Sequence, residues 1–129
     1  MTPEKLKERI ASLIFEKKGA DVLEINLNGI TTVTDYFIIC TADSDIQVKA
    51  IADHIEKTLK DEGIKIWHKE GYMALHWVLL DYVDVVVHIF QRESREYYNL
   101  EKLWGDADIV HVEDPLLKKK ESKQRKSTK

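Results

Sequence analysis

The fold of this chain depends first on His76–Phe90, whose sequence is HWVLLDYVDVVVHIF. Two short apolar segments lie in it, Trp77–Leu80 and Val85–Phe90, and they are rich in Val, Ile and aromatic residues. This composition favours strands over helices, because β-branched and aromatic side chains pack well on a pleated sheet. Only four residues, Asp81–Asp84, separate the two segments. The stretch therefore predicts an antiparallel hairpin.

Before the hairpin, the chain alternates between helical and extended patterns. Helices are predicted to begin at Thr2 and Ser44, because a hydroxyl before the first turn can cap free backbone N–H groups. Apolar residues at helical spacing follow both, and Gly19 and Gly63 predict where these helices end. Three strands are also predicted: Leu23–Leu27 as a half-buried strand, Tyr36–Thr41 as a central strand covered on both faces, and Ile64–Trp67.

After the hairpin, Arg92–Leu103 is predicted to form a helix, with Tyr97 or Tyr98, Leu100 and Leu103 on its inner side. Helices and strands therefore interleave along the chain. The expected architecture is an α/β (α+β) fold, a single mixed five-stranded sheet covered by helices. The sheet cannot be all parallel, because the hairpin reverses the direction of the chain.

Asp114-Pro115 predicts the end of the compact domain, which gives one domain of residues 1–114 and a tail of residues 115–129. The tail is too polar to pack and is expected to be disordered. Two interpretations of it stay open. It is either a solubilising extension or a weak, sequence-independent contact with RNA phosphates.

The composition predicts a soluble cytoplasmic protein. Of the 129 residues, 43% are hydrophobic and 33% are charged, as in a globular domain with a sizeable core. No apolar run approaches the roughly 20 residues that cross a bilayer, and the charged start lacks the apolar stretch of a signal peptide. No membrane partner is expected. The single cysteine, Cys40, lies in an apolar run and is expected to be buried and inert in a reducing cytosol.

Charge divides the chain into an acidic body and a basic end. Residues 118–129 hold seven Lys or Arg and one Glu, a net charge of +6. The other 117 residues hold 13 basic and 22 acidic side chains, a net charge of −9. Because affinity for phosphates comes largely from Lys and Arg, the body is expected to bind a basic protein surface rather than nucleic acid.

Asp43 and Asp45 raise the question of metal-dependent chemistry. They lie between a strand and a helix, where two carboxylates could hold Mg²⁺ for phosphoryl transfer. The interpretation that we favour is that Ser44 caps the helix and that both acids stabilise its positive end. No glycine-rich phosphate loop follows. We therefore do not assign a catalytic role to this pair.

Other catalytic groups are also weakly supported. The five histidines lack the spacing of metal ligands: His54, His68, His76, His88 and His111. His88 lies in an apolar strand and is expected to be a hydrogen-bonded sheet residue rather than a base. No Ser or Cys stands in a recognisable nucleophile context. We expect no metal, no cofactor and no enzymatic activity.

The hairpin region combines acids with large apolar side chains. Asp81 and Asp84 flank its turn, where Asp is favoured because its side chain can bond nearby N–H groups. The alternative is that the pair forms an exposed acidic prong for a basic partner. Trp77 and Tyr82 lie beside them and predict an interaction surface, because large aromatic side chains anchor many interfaces. Three more apolar residues precede them: Tyr72, Met73 and Leu75.

Five motifs in this order resemble those of one known family. They are TDYFIICT (34–41), VKAIA (48–52), Glu70-Gly71 with Trp77, DVVVHIF (84–90) and REYYNLEKLW (95–104). With their spacing, they are similar to the ribosomal silencing factor family, also called Iojap-like. The resemblance covers roughly residues 4–107 and leaves the basic tail outside.

The resemblance implies a translational repressor without enzymatic activity. Such a protein binds the large ribosomal subunit through its protein number fourteen and sterically blocks joining of the small subunit when nutrients are short. It also implies a nucleotidyltransferase-like topology and a homodimer in the free state. The alternative function is that of a divergent Mg-dependent nucleotidyltransferase that uses Asp43, Asp45 or Asp84.

The resemblance also implies which residues bind the partner, and it has two departures. The family usually has glycine where this chain has Val83, and a β-branched residue would be strained there if φ is positive. Glycine is also common in the family where this chain has Ala42-Asp43. The partner-binding residues implied by the resemblance are Leu75, His76, Trp77, Asp81, Tyr82, Val83, Asp84 and His88.

Overall fold

The computed structural model describes residues 1–116, which form one mixed sheet with helices on both faces. The helices are α1 (Pro3–Glu16), α2 (Asp45–Asp61), α3 (Arg92–Tyr98) and α4 (Leu100–Leu103). The strands are β1 (Ala20–Asn26), β2 (Tyr36–Ala42), β3 (His68–Glu70), β4 (Trp77–Asp81), β5 (Val85–Gln91) and β6 (Asp108–Val112). Their order in the sheet is β3-β4-β5-β2-β1-β6.

The predicted hairpin is confirmed and lies inside the sheet. β4 and β5 pair antiparallel, with Trp77 opposite Phe90 and Leu79 opposite His88. On its other side, β5 pairs parallel with β2. The remaining pairs of the described sheet are antiparallel, which confirms a mixed sheet.

The predicted number of five strands is wrong, because the sheet has six. β6 adds an edge strand antiparallel to β1, with Ile109 opposite Ile25. Its sequence, DIVHV, is short and largely exposed, so it lacks the long apolar run that identifies a buried strand. The strand predicted at Ile64–Trp67 is also misplaced. Ile64 and Ile66 pack against the core as part of a loop, and pairing with β4 begins only at His68.

The face of the sheet covered by α1 and α2, here called the helix face, carries the larger part of the core. Apolar residues that recur at helical spacing along both helices pack against alternate residues of the strands. Side chains from α2 and β4, such as Ile55 and Leu80, are fully buried there. β1 is covered on both faces and is not half-buried as predicted. Its Glu24 lies under α1 and accepts a hydrogen bond from Lys7 Nζ at 2.8 Å.

Both predicted helix starts are confirmed. The hydroxyl of Thr2 accepts a hydrogen bond from the N–H of Lys5 at 3.2 Å, and that of Ser44 accepts one from Gln47 at 3.1 Å. The end of α1 differs from the prediction, because Lys18 rather than Gly19 has a positive φ, 66°. Gly19 is required for space, since a Cβ there would lie 2.3 Å from Cγ2 of Ile14.

The helix predicted over Arg92–Leu103 is broken into two. Asn99 has a φ of 44°, so α3 ends at Tyr98 and the short α4 begins at Leu100. Leu100 packs on the face of the sheet opposite the helix face, but Tyr97 and Leu103 are 83% and 74% exposed. Leu100 therefore lies on the inner side as predicted, and the ring of Tyr98 lies 5.0 Å from that of Trp77, but the prediction for Leu103 is wrong.

The predicted tail falls almost entirely outside the described residues, which end at Leu116. Within residues 1–116, no helix has the length and apolar character needed to cross a membrane.

Candidate functional site

Part of the second sheet face carries no helix. Trp77, Leu79 and Asp81 alternate along β4 and point to this side, and all three are partly exposed. Next to them, α3 and α4 cover a smaller apolar cluster that includes Phe90 from β5. We call the surface formed by Trp77, Leu79 and Asp81, with the half-buried Phe37 of β2, the open face.

Trp77 is the largest side chain on the open face, and its neighbours hold it in place. Its ring stacks on Phe90 with a centroid distance of 4.8 Å and lies 5.0 Å from the ring of Tyr98. Its indole Nε1–H donates a hydrogen bond to Nδ1 of His88 at 3.1 Å. Trp77 is therefore oriented before any partner arrives, which reduces the entropy lost on binding.

The hydrogen bond from Trp77 identifies the proton arrangement of His88. An indole N–H can only donate, so Nδ1 of His88 carries a lone pair and the ring proton lies on Nε2. The side chain is only 3% exposed, and burial lowers the pKa of His88 to about 4. His88 is therefore neutral at pH 7. Its Nε2 is buried and has no hydrogen-bond partner within residues 1–116.

The turn of the hairpin is strained at Val83, the position where the resembled family usually has glycine. Its φ is 73°, which is unfavourable for a β-branched residue. The N–H of Asp84 bonds the carbonyl of Tyr82 at 2.9 Å, and this closes a tight γ-type turn around Val83. The carboxylate of Asp81 supports the turn by accepting a hydrogen bond from the N–H of Val83 at 2.8 Å.

The structure separates the residues implied to bind a partner into five groups. Trp77 and Asp81 lie on the open face, and Val83 and Asp84 lie at the exposed hairpin tip. His76 is exposed beside Trp77. His88 lies beneath the open face and reaches its surface only through Trp77. The fifth group, Leu75 and Tyr82, packs into the core of the helix face.

Tyr82 is not available for a partner in this structure. It is 6% exposed, and burial raises the pKa of its hydroxyl. Its position follows from the alternation of side chains at the end of β4, since Asp81 points to the open face and Tyr82 to the opposite side. The aromatic character of Tyr82 therefore reflects core packing.

The loop before β4 determines the position of Trp77, the first residue of that strand. A Cβ on Gly71 would lie 2.0 Å from the carbonyl oxygen of Trp77, so only glycine allows the loop to approach this closely. The N–H of Leu75 donates to the carbonyl of Gly71 at 3.0 Å, and the N–H of Gln91 donates to the carbonyl of His76 at 2.9 Å. The Gly71 of the Glu70-Gly71 motif is thus explained by its close approach to Trp77.

Four residues of this region were not identified from the sequence as partner-binding candidates: Phe37, Leu79, Tyr98 and Trp104. Leu79 had a usable signal, because it follows Trp77 by two positions in a strand. Phe37 and Trp104 had none, since their contact joins β2 to the segment after α4 with a ring distance of 5.8 Å. Only the folded chain brings them together.

Asp43 and Asp45 are engaged in local structure. Asp43 pairs with the guanidinium of Arg92 at 3.0 Å and is 75% exposed. The carboxylate of Asp45 accepts a hydrogen bond from the N–H of Ile46 at 2.8 Å, at the start of α2. Across residues 1–116, no group of three or more His, Cys, Asp or Glu side chains could hold a metal ion. Cys40 is fully buried, and burial raises the pKa of its thiol to about 12.

Comparison with known proteins gives the family. The model of the family "Ribosomal silencing factor during starvation" matches residues 1–129. A ribosomal silencing factor from Halalkalibacterium halodurans is 43% identical over 113 residues, which span 88% of this chain and 97% of that protein. The mouse protein "Mitochondrial assembly of ribosomal large subunit protein 1" is 31% identical over 103 residues, 75% of this chain and 44% of the mouse protein.

A solved structure agrees with this relationship. The crystal structure of a protein from Chromobacterium violaceum matches with a TM-score of 0.79 and 35% sequence identity, over 81% of this chain and 88% of that one. Its agreement confirms the mixed α+β fold. The chain belongs to the family of ribosomal silencing factors, and this membership supports a role in the regulation of translation.

Proposed function

We propose that this protein binds the large ribosomal subunit through its protein number fourteen and sterically blocks joining of the small subunit when nutrients are limited. The observation that carries the proposal is Trp77, a half-buried aromatic side chain held in one orientation at the part of the sheet face that no helix covers. Family membership supports the ribosome as the target. The name of the mouse relative supports the large subunit.

The open face has the chemistry of an interface anchor. Large aromatic side chains near the centre of an interface contribute most to binding, and Trp77 lies between the half-buried Leu79 and the exposed His76. Asp81 and Asp84 add negative charge at the other end of β4. The body carries a net charge of −9, so its partner is expected to be basic, as ribosomal proteins are in general.

The mechanism requires no chemical step. A protein seated on the large subunit occupies space that the small subunit needs, and the equilibrium between joined and separate subunits shifts by mass action. The alternative of a Mg-dependent nucleotidyltransferase gains no support from Asp43, because its carboxylate pairs with Arg92. A nucleotidyltransferase-like topology stays a prediction of the resemblance.

Three further parts of the proposal concern the free protein. We expect it in the cytoplasm, and as a homodimer when no ribosome is bound. A dimer that used the open face would compete with the ribosome for the same surface. The contact of the basic tail with ribosomal RNA stays a prediction about residues outside those described.

The proposal is tested by co-sedimentation of the full chain with large subunits in a sucrose gradient. Trp77→Glu places a charge on the open face in place of its largest side chain and should lower affinity at least about 30-fold, as expected for an aromatic anchor. Trp67→Glu is the matched control, because Trp67 is 71% exposed and lies outside the open face. Circular dichroism should show both variants folded.

A second readout tests the mechanism. Addition of the wild-type protein to mixed subunits should reduce the amount that sediments as joined ribosomes. Addition of Trp77→Glu instead of the wild type should leave that amount unchanged. Equal binding by wild type and Trp77→Glu would show that the contact surface lies elsewhere. Equal joining with and without the wild-type protein would contradict the repressor mechanism.

A further inference from the structure

A cleft of about 600 Å³ lies beside the open face, between α3 and the loop before β4. Trp77 belongs to both, so the cleft and the open face form one continuous surface. The loop side is rigidly built, because Gly71 approaches the backbone of Trp77 closely. The cleft is lined by Gly71, Ala74, His76, Trp77, Glu93, Ser94, Tyr97 and Tyr98.

Three aromatic rings form the walls of this cleft. Tyr98 lies in the middle, with its ring centroid 5.0 Å from that of Trp77 and 5.1 Å from that of Tyr97. The rings of Tyr97 and Tyr98 are almost perpendicular, at 88°. These two tyrosines are 83% and 51% exposed, so core packing does not explain them. Rings that meet at such angles can offer more than one π face to a ligand.

The charge of the cleft favours a cation. Among residues 1–116, Glu93 is the only carboxylate that lines the cleft, and no Lys or Arg of these residues lines it. Both arginines of α3 point to other partners. Arg92 pairs with Asp43 at 3.0 Å, and Arg95 donates to the hydroxyl of Thr41 at 2.7 Å.

Two other tyrosines already have a cation from the chain itself. Lys7 Nζ lies 5.2 Å from the ring centre of Tyr36, and Lys69 Nζ lies 5.0 Å from that of Tyr72. Within residues 1–116, no lysine or arginine lies over Trp77, Tyr97 or Tyr98 in this way. The aromatic cleft thus has the chemistry of a cation site without a cation from residues 1–116.

We propose that the cleft binds an arginine side chain of a basic protein partner, with the guanidinium over the rings of Trp77 and Tyr98 and facing the carboxylate of Glu93. Arginine fits better than lysine, because its planar guanidinium stacks on aromatic rings and can bond a carboxylate with two N–H groups. The inference rests on the proposed function for the identity of the partner. It adds the chemical group that the surface recognises.

A partner protein is the expected source of the arginine for two reasons. The acidic body, with a net charge of −9, attracts basic surfaces. The cleft also shares Trp77 with the open face, so one partner can cover both and bury the guanidinium away from water. Burial from water is the condition under which a cation–π contact contributes most.

The first test uses a small probe and does not depend on the ribosome. N-acetyl-arginine methylamide is titrated into the full chain while the indole N–H resonance of Trp77 is followed by NMR, assigned by its loss in Trp77→Phe. The probe should shift this resonance in a saturable manner, and the neutral isostere N-acetyl-citrulline methylamide should not. Absence of a shift, or equal shifts with both probes, overturns the inference.

Variants then locate the contact. Tyr98→Leu removes one wall, and Glu93→Gln removes the charge; each should weaken binding of the probe about fivefold. Glu96→Gln is the matched control, because Glu96 is an exposed acid on α3 that does not line the cleft. Equal weakening by Glu93→Gln and Glu96→Gln would show that net charge, and not the cleft, attracts the probe.

Two measurements on the free protein test whether the chain's own tail or a second copy of the chain occupies the cleft. If Arg125→Gln moves the Trp77 resonance without any probe, the chain's own tail fills the cleft and the assignment to a partner is wrong. If the resonance moves on dilution, a second copy fills it and the assignment is equally wrong. An unchanged resonance in both experiments supports a partner.

Co-sedimentation with large subunits separates this inference from the proposed function. Tyr98→Leu and Glu93→Gln should lower affinity for the large subunit about tenfold, while Glu96→Gln should not. If the wild type binds and all three variants bind equally well, the inference fails and the proposed function stands. If the probe binds as expected and the wild type does not bind large subunits, the arginine site stands and the proposed function fails.

Discussion

The two faces of the sheet have the same strands but different degrees of coverage. On the helix face, α1 and α2 bury residues such as Ile55 and Leu80 completely. On the opposite side, Trp77 and Leu79 stay partly exposed, and Nε2 of His88 has no partner within residues 1–116. Exposed aromatic side chains and unpaired buried polar atoms both reduce stability. The difference indicates that the helix face contributes most of the stability of the domain, and it supports the proposal that the open face binds a partner.

The largest expected effect is a difference in the free energy of unfolding between alanine variants of two adjacent leucines of β4. Leu80 is fully buried on the helix face, and Leu80→Ala should lower the free energy of unfolding by about 3 kcal/mol. Leu79 is partly exposed on the open face, and Leu79→Ala should cost less than about 1 kcal/mol. Urea unfolding followed by circular dichroism measures both. Equal costs would show that the open face contributes to the core as much as the helix face does.

The second prediction concerns the pH dependence that His88 gives to the open face. Its pKa is about 4 in the folded protein and 6.5 as the ordinary value, so the unfolded chain takes up the proton first as pH falls. The contribution of His88 to stability is therefore complete above pH 6.5 and is lost as pH falls toward 4. Each pKa unit corresponds to about 1.4 kcal/mol, so the total loss is about 3 kcal/mol.

Comparison with His88→Phe isolates this contribution from that of the carboxylates. The free energy of unfolding of the wild type should fall more steeply between pH 7 and pH 4.5 than that of the variant. Parallel curves for the two proteins would contradict a buried, neutral His88.

The third prediction is that His88 acts on partner binding through Trp77. His88→Phe removes the acceptor for the indole N–H and should weaken binding to large subunits about fivefold, close to the 1 kcal/mol of a hydrogen bond. In a Trp77→Phe background, which lacks the N–H, His88→Phe should have no further effect. Additive losses in the double variant would mean that His88 affects binding by another route.

The smallest expected effect lies at the hairpin tip, where the two faces meet. Val83→Gly removes a β-branched residue from a φ of 73° and should raise the free energy of unfolding by about 1 kcal/mol. Val33→Gly is the control, because Val33 is 80% exposed and has no positive φ. It should be neutral or slightly destabilising. A loss of stability in Val83→Gly would show that the side chain of Val83 outweighs the strain of its backbone.

Much of the fold could be predicted because its signals are local. The caps at Thr2 and Ser44, the apolar stripe of α2 and the hairpin of β4 and β5 all follow from residues a few positions apart. The break at Asn99 was missed, because a left-handed residue other than glycine leaves little trace in the sequence. β6 was missed because its pairing with β1 joins residues more than 80 positions apart.

Local sequence pattern was also enough to predict Trp77 as a partner-binding candidate and to recognise the family motifs around it. Neither inference depends on how distant segments of the chain meet. The prediction that His88 is a hydrogen-bonded sheet residue is confirmed, but its bond to Trp77 and the positions of Tyr82 and Tyr98 could be seen only in the folded chain. Three aromatic or imidazole rings of similar size became a buried acceptor, a core residue and a cleft wall. The physical reason is that burial and hydrogen bonding depend on which segments cover a strand, and those segments are remote in the sequence.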